Sequence, residues 1–147
     1  MKTVLHIAAA CALFANLSVS WAADATLETA AKENGAIVTT SGLVYRSLKD
    51  GTGASPQASD VVKVNYRGTF PDGREFDSSY KRNQAIEFPL GNVIPCWTEG
   101  LQRMKVGGKA KLTCPAAIAY GARGAGGVIP PNATLLFEVE LLAIKGK

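Results

Sequence analysis

Histidine is almost missing from this 147-residue sequence, with a single copy, His6, near the start. Beyond position 6 there is no imidazole to activate a serine or cysteine, and no Gly-x-Ser-x-Gly elbow occurs. Hydrolysis by a nucleophile and its base is therefore excluded as a reading. Metal ligands are equally short. The three cysteines, Cys11, Cys96 and Cys114, stand apart and have no histidines to complete a zinc or copper set, so no metal and no cofactor is expected. Glycines between Gly121 and Gly127 repeat at Gly-x-x-Gly spacing, but they neither follow a strand nor open a helix, which makes them a weak nucleotide signal. Lys and Arg outnumber acids by 16 to 12, yet they are spread along the chain without a dense basic run, and nucleic acid is not implied. No apolar run reaches the roughly 20 residues that a bilayer-crossing helix needs, so no membrane span is expected.

What is present begins with the N-terminus. Lys2 is followed by a nearly unbroken apolar run from Val4 to Leu17, and then by small residues at Ala22, Ala23 and Ala25. That order of charge, short apolar segment and small residues is the pattern of a secretory signal peptide. Cleavage after Ala22 is favoured because it puts Ser20 and Ala22 at the two small-residue positions; Ala23 and Ala25 are the alternatives. The expected destination is a periplasm or the exterior. Removing residues 1–22 takes away one base and no acid, so the formal charge falls from +4 to +3. It also removes Cys11 and leaves Cys96 and Cys114. Two thiols in an oxidising compartment invite a disulfide; two buried free thiols are the other reading. What remains is long enough for one domain with one core.

Periodicity then separates strands from one helix. Residues 23–41 read as a short polar tail or linker, in which Thr26 to Asn34 has room for two helical turns before Gly35. Alternating or apolar runs predict strands over Leu43–Leu48, Val61–Tyr66, Ala85–Leu90, Lys109–Cys114 and Thr134–Ile144. In the last of these, Phe137, Val139 and Leu141 should face one way and Glu138 and Glu140 the other. Trp97, Leu101 and Met104 recur at helical spacing after Pro95 and before Gly107, which predicts a short helix with one apolar stripe. Several strands and one helix imply an α+β domain on an antiparallel sheet, placed at residues 42–147. A long irregular segment, Pro115 to Asn132, carries Tyr120, four glycines and Pro130-Pro131, and its aromatic and aliphatic content points to function.

The residues between Tyr66 and Phe137 narrow this further. Asp72-Gly73-Arg74-Glu75-Phe76-Asp77-Ser78-Ser79, then Val93-Ile94-Pro95 and Trp97, then Ala119-Tyr120-Gly121, then Ile129-Pro130-Pro131-Asn132-Ala133-Thr134 resemble the FKBP family of macrolide-binding peptidyl-prolyl cis-trans isomerases. The resemblance covers about residues 42–145, in order. It implies a twisted antiparallel sheet of five or so strands wrapped around one short helix, with a hydrophobic pocket between them. Carried over position by position, it implies catalytic roles for Tyr66, Phe76, Asp77, Ile94, Trp97, Tyr120 and Phe137, with Trp97 as the floor. It implies substrate contacts for Val93, Ile129, Phe88 and Arg82, the last as the base that pairs with Asp77. It also puts Cys96 beside the pocket floor and Cys114 on the strand that the helix start approaches, so a Cys96–Cys114 bridge is sterically reasonable. The implied partners are Pro-containing polypeptides and macrolide inhibitors, and the short N-terminal segment leads us to expect a monomer. A non-catalytic module or chaperone that holds Pro-containing segments is the alternative. Three departures bear on specificity: a shorter segment between Gly91 and Val93, Ile86 where an aromatic is frequent, and Ala125 where a histidine is frequent.

Overall fold

The structure, a computed structural model, describes residues 25–147. The signal-peptide assignment to residues 1–22 lies outside the described residues. Residues 25–31 are helical (α1). The strands are β1 (Ile37–Val38), β2 (Val44–Lys49), β3 (Val61–Thr69), β4 (Glu75–Ser78), β5 (Ile86–Pro89), β6 (Lys109–Cys114) and β7 (Leu135–Ile144). Helix α2 (Pro95–Gln102) lies between β5 and β6. All strand pairs are antiparallel, in the order β1-β2-β6-β7-β3-β4, with β5 also pairing with β3. One edge of β3 is shared by two short strands: Val61 to Val64 pair with β5, and Arg67 to Thr69 pair with β4.

The core sits between α2 and the inner face of this sheet. In β3, Val62, Val64 and Tyr66 point inward; in β7, Leu135, Phe137, Val139 and Leu141 do so, and the intervening glutamates face out. The alternation breaks at the end of β7, where Leu141 and Ile144 are both buried. A register shift between Lys63 and Val64 accounts for it, since one extra β7 residue reverses which parity faces the core.

Local chemistry fixes where each element stops. Pro95 opens α2, needing no amide hydrogen there, and Trp97 and Leu101 follow on the buried stripe. The chain then leaves the helix before Met104, which is buried from a turn and not from the last helical coil. Gly100 faces β6 so closely that a Cβ would lie 2.8 Å from a Leu112 methyl, and its bare backbone lets the helix settle on the sheet. The β3–β4 turn is built on Gly73 (φ 92°), whose amide donates to the Phe70 carbonyl at 2.9 Å while the Phe70 amide donates to Arg74 at 2.8 Å.

The sheet has more strands than the five or so that the pattern suggested. The two additional strands are hard to read for different reasons: β1 is only Ile-Val, two strand formers in a run too short to show alternation, and β4, Glu-Phe-Asp-Ser, has a single strand former. Residues 25–38 are also docked. Ala30 is buried, β1 pairs with β2, and Glu33 accepts from Arg46 at 2.6 Å and Lys111 at 2.7 Å.

Cys96, in the first turn of α2, is joined to Cys114 at the end of β6 in a disulfide with Cα atoms 5.9 Å apart, both side chains fully buried. The bridge spans a sequence separation of 18, for which chain entropy predicts about 3 kcal/mol of stabilisation. Replacing both residues, as Cys96→Ala with Cys114→Ala, should lower the guanidinium unfolding free energy by about that amount. A loss well below about 1 kcal/mol contradicts a clamping role.

Candidate active site

A largely apolar cavity opens where α2 meets the sheet. It has a volume of about 500 Å³ and is lined by Tyr66, Phe76, Asp77, Asn92, Val93, Ile94, Trp97, Tyr120 and Phe137. Strand β3 brings Tyr66, β4 brings Phe76 and Asp77, the turn before α2 brings Asn92 to Ile94, α2 brings Trp97, the loop after β6 brings Tyr120, and β7 brings Phe137. No two consecutive elements would suffice.

Trp97 is the hub of the ring packing. Tyr66 meets it edge-on at 5.1 Å between centroids and Phe137 at 5.2 Å, while Phe88 packs tilted at 5.5 Å. Phe137 in turn carries Phe76 edge-on at 5.6 Å, and Phe70 supports Phe76 from behind at 5.0 Å. Edge-on pairs place the positive rim of one ring on the negative face of the next, so each ring holds its neighbour's tilt. Gly68 makes room for this: a Cβ there would come within 2.6 Å of Phe76 and 3.0 Å of Phe137. The Trp97 indole Nε1 is buried without a hydrogen-bond partner among the described residues.

At the rim, Asp77 accepts hydrogen bonds from the Tyr66 hydroxyl, the Arg82 guanidinium and, at 2.9 Å, the Ser78 amide. Arg82 also donates to the Tyr66 oxygen at 3.1 Å, closing a three-membered network. Desolvation alone would push the Asp77 pKa up, but the bonds from Tyr66 and Arg82 and the charge of Arg82 outweigh it, and the carboxyl titrates below its ordinary value. Burial first, and then the hydrogen bond to Asp77, push the Tyr66 phenol up. The carboxylate is thus held ionised and fully hydrogen-bonded, which suits a fixed negative charge and not a proton carrier. Two further donors on cavity-lining residues have no hydrogen-bond partner among the described residues: the hydroxyl of Tyr120, a residue 40% exposed, and the Ile94 amide just ahead of α2.

Of the residues singled out from sequence, the structure brings Tyr66, Phe76, Asp77, Val93, Ile94, Trp97, Tyr120 and Phe137 to one cavity. Three are elsewhere. Phe88 lies behind Trp97; Ile129 is buried in the core cluster and bridged to Ala125; Arg82 stands outside, on Asp77. Asn92 lines the cavity without having been anticipated, and a polar residue in a short turn offers no pattern by which to find it.

An antiparallel sheet with α2 packed across its inner face leaves an aromatic-lined cavity between them. The chain belongs to the FKBP-type peptidyl-prolyl cis-trans isomerases: residues 53–142 match the family's model. It is 52% identical over 118 residues to the FKBP-type peptidyl-prolyl cis-trans isomerase FkpA of Escherichia coli K12, covering 80% of this chain and 43% of that protein. The chain therefore spans less than half the length of that relative. Among solved structures, Escherichia coli FkpA superposes with a TM-score of 0.83 at 48% identity, covering 86% of this chain and 59% of that one. A Pseudomonas syringae peptidyl-prolyl cis-trans isomerase superposes with a TM-score of 0.78 at 39% identity, covering 84% and 91%.

The folded-state pKa of Asp77 lies below its ordinary value of 3.8, so its stabilising contribution is fully present above that value. It disappears as pH falls through the lower, folded-state pKa. A carboxyl-carbon NMR titration should place the Asp77 midpoint below 3.8, and Tyr66→Phe should move it upward. A midpoint at or above the ordinary value would sink the assignment.

Proposed function

We propose that this protein catalyses rotation about X-Pro peptide bonds in exported polypeptides, using the Trp97-floored cavity. The observation that carries the proposal is the pairing of a dry aromatic cavity with an immobilised carboxylate and two unused donors, Ile94 N–H and Tyr120 O–H. Uncatalysed rotation faces a barrier of about 18 to 20 kcal/mol, because the C–N bond has partial double-bond character. No covalent bond needs to break. As the amide twists, resonance and charge separation fall, so the twisted form loses less than the planar one on leaving water. An apolar cavity shaped for it binds it better than either planar isomer, and that difference in binding is the catalysis.

The residue roles follow from position. Trp97, Phe76 and Phe137 take the prolyl ring; Val93 shapes the entrance; Ile94 N–H and Tyr120 O–H donate to carbonyls flanking the twisting bond. Asp77 fixes the field at the rim and, held by Arg82, also orders residues 77–82. Ile129 and Phe88 support the cavity from behind. Macrolides are proposed to compete for the same space.

Two features support the setting: the N-terminal pattern supports export with cleavage after Ala22, and the buried Cys96–Cys114 pair suits an oxidising compartment. The isomerase domain is proposed to occupy residues 42–147. Among the described residues no helix is long and apolar enough to cross a membrane. Exposed large apolar side chains are few and β1 offers an edge of only two residues, which supports a monomer, read by sedimentation.

In a protease-coupled assay on a short X-Pro peptide, the protein should accelerate cis-to-trans conversion. Tyr120→Phe, which removes one neutral hydrogen bond, should lower kcat/KM about 3-fold to 10-fold, and Asp77→Ala should lower it further. The rate should be flat between about pH 5 and 9, since neither Asp77 nor Tyr66 changes protonation there. Unaltered rates in both variants, or a midpoint near neutrality, contradict the mechanism.

A further inference from the structure

A second concavity, of about 610 Å³, runs along the outer side of α2 and is lined by Gly91, Val93, Pro95, Thr98, Glu99, Gln102 and Arg103. It neighbours the aromatic cavity, and Val93 lines both. Its character changes along its length. Val93 and Pro95 make the near end apolar, while the far end is formed by Gln102 and Arg103, with Lys105 two residues beyond.

The charge at the far end is unmatched. Of the fifteen Lys and Arg side chains among the described residues, eight face a carboxylate, at Arg46, Arg67, Arg74, Lys81, Arg82, Lys111, Lys145 and Lys147. Arg103 has no such partner among the described residues. Its natural one is Glu99, four residues earlier on the same helix face, but Glu99 accepts a hydrogen bond from the Ser41 hydroxyl at 2.5 Å instead. Ser41 belongs to the turn ahead of β2, so the fold itself draws the acid away from the base. The Arg103 backbone is meanwhile fixed, its carbonyl accepting from the buried Tyr45 hydroxyl at 3.4 Å and its amide bonding to Gly100 and Leu101. The groove thus ends at an exposed Arg103 whose backbone is held and whose side chain forms no ion pair among the described residues.

We propose that this groove is a client subsite: a polypeptide with its proline in the aromatic cavity passes over Val93 and along α2, and an acidic side chain of the client pairs with Arg103. The inference rests on the isomerase reading and adds a charge preference to it. From Pro95 to Arg103 the helix advances about 12 Å at 1.5 Å per residue, which an extended chain spans in about four residues at roughly 3.3 Å each. Allowing for the step over Val93, the acid should stand about four to six positions from the proline.

The test compares three peptides sharing one X-Pro core: a short one, one extended with Asp at four to six positions from the proline, and one extended with Asn there. Extensions are made on each side in turn. For the wild type, the Asp extension on one side should raise kcat/KM about 3-fold to 5-fold over the Asn extension, as an exposed charge-assisted contact does. Arg103→Glu should reverse that preference while leaving the short peptide's kcat/KM unchanged, and 0.5 M salt should reduce it. Equal kcat/KM for Asp and Asn extensions on both sides overturns the proposal, as does an equal loss on all three peptides in Arg103→Glu. Fluorescence anisotropy of the same peptides, labelled, reads the preference without turnover. A charge preference in binding with no isomerisation keeps the subsite and sinks the isomerase reading, whereas isomerisation with no charge preference in either assay does the reverse.

Discussion

Everything at this site depends on how firmly α2 is held against the sheet, because the helix carries the indole on which the other rings lean. Trp97 can floor a cavity only if the first turn of α2 keeps its distance from β6 and β7. Three contacts set that distance. The Cys96–Cys114 bridge ties the turn covalently, Gly100 admits the Leu112 methyls where any larger residue would push the helix away, and Leu101 fills the space beneath. The bridge lies one residue from Trp97, so the strongest restraint in the fold falls next to the group whose position matters most. A protein of this size can form a core without such a staple; here the staple is placed where it orders the site.

The second constraint is desolvation. Apolar walls made of interlocking rings keep water from the floor, while the rim holds the polar groups in a closed network of Tyr66, Asp77 and Arg82. Burial and hydrogen bonding pull the Asp77 pKa in opposite directions, and hydrogen bonding prevails because the carboxylate accepts from three donors. The result is a fixed charge beside an aromatic-lined cavity, the arrangement on which the proposed mechanism rests.

Legibility from sequence varied with length and parity. Strands β6 and β7 could be read because six and ten residues of alternation outweigh local noise. The Glu-Phe-Asp-Ser strand after Gly73 has only Phe76 as a strand former, and β1 is two residues long. The burial of Ile144 beside Leu141 depends on a bulge opposite Lys63, which no pattern within β7 reveals. At the site, the aromatic residues and Asp77 could be named from their resemblance to a family. Residue type did not separate Tyr66, which lines the cavity, from Phe88, which stands behind it.

By itself the sequence determined the chemistry that is possible. Without histidine beyond position 6 it has no ready acid-base pair, so the proposed catalysis rests on shape, apolar walls and fixed charge. It also determined the elements that carry long periodicity and the thiol pair left beyond the N-terminal segment. The tertiary structure alone decided which of those residues meet. Six separate segments converge on one cavity, Ser41 reaches across to Glu99 and leaves Arg103 unpaired, and Ile129 turns into the core. The physical reason is that composition and periodicity are local along the chain, whereas the contacts that shape a pocket and match or strand a charge join residues tens of positions apart.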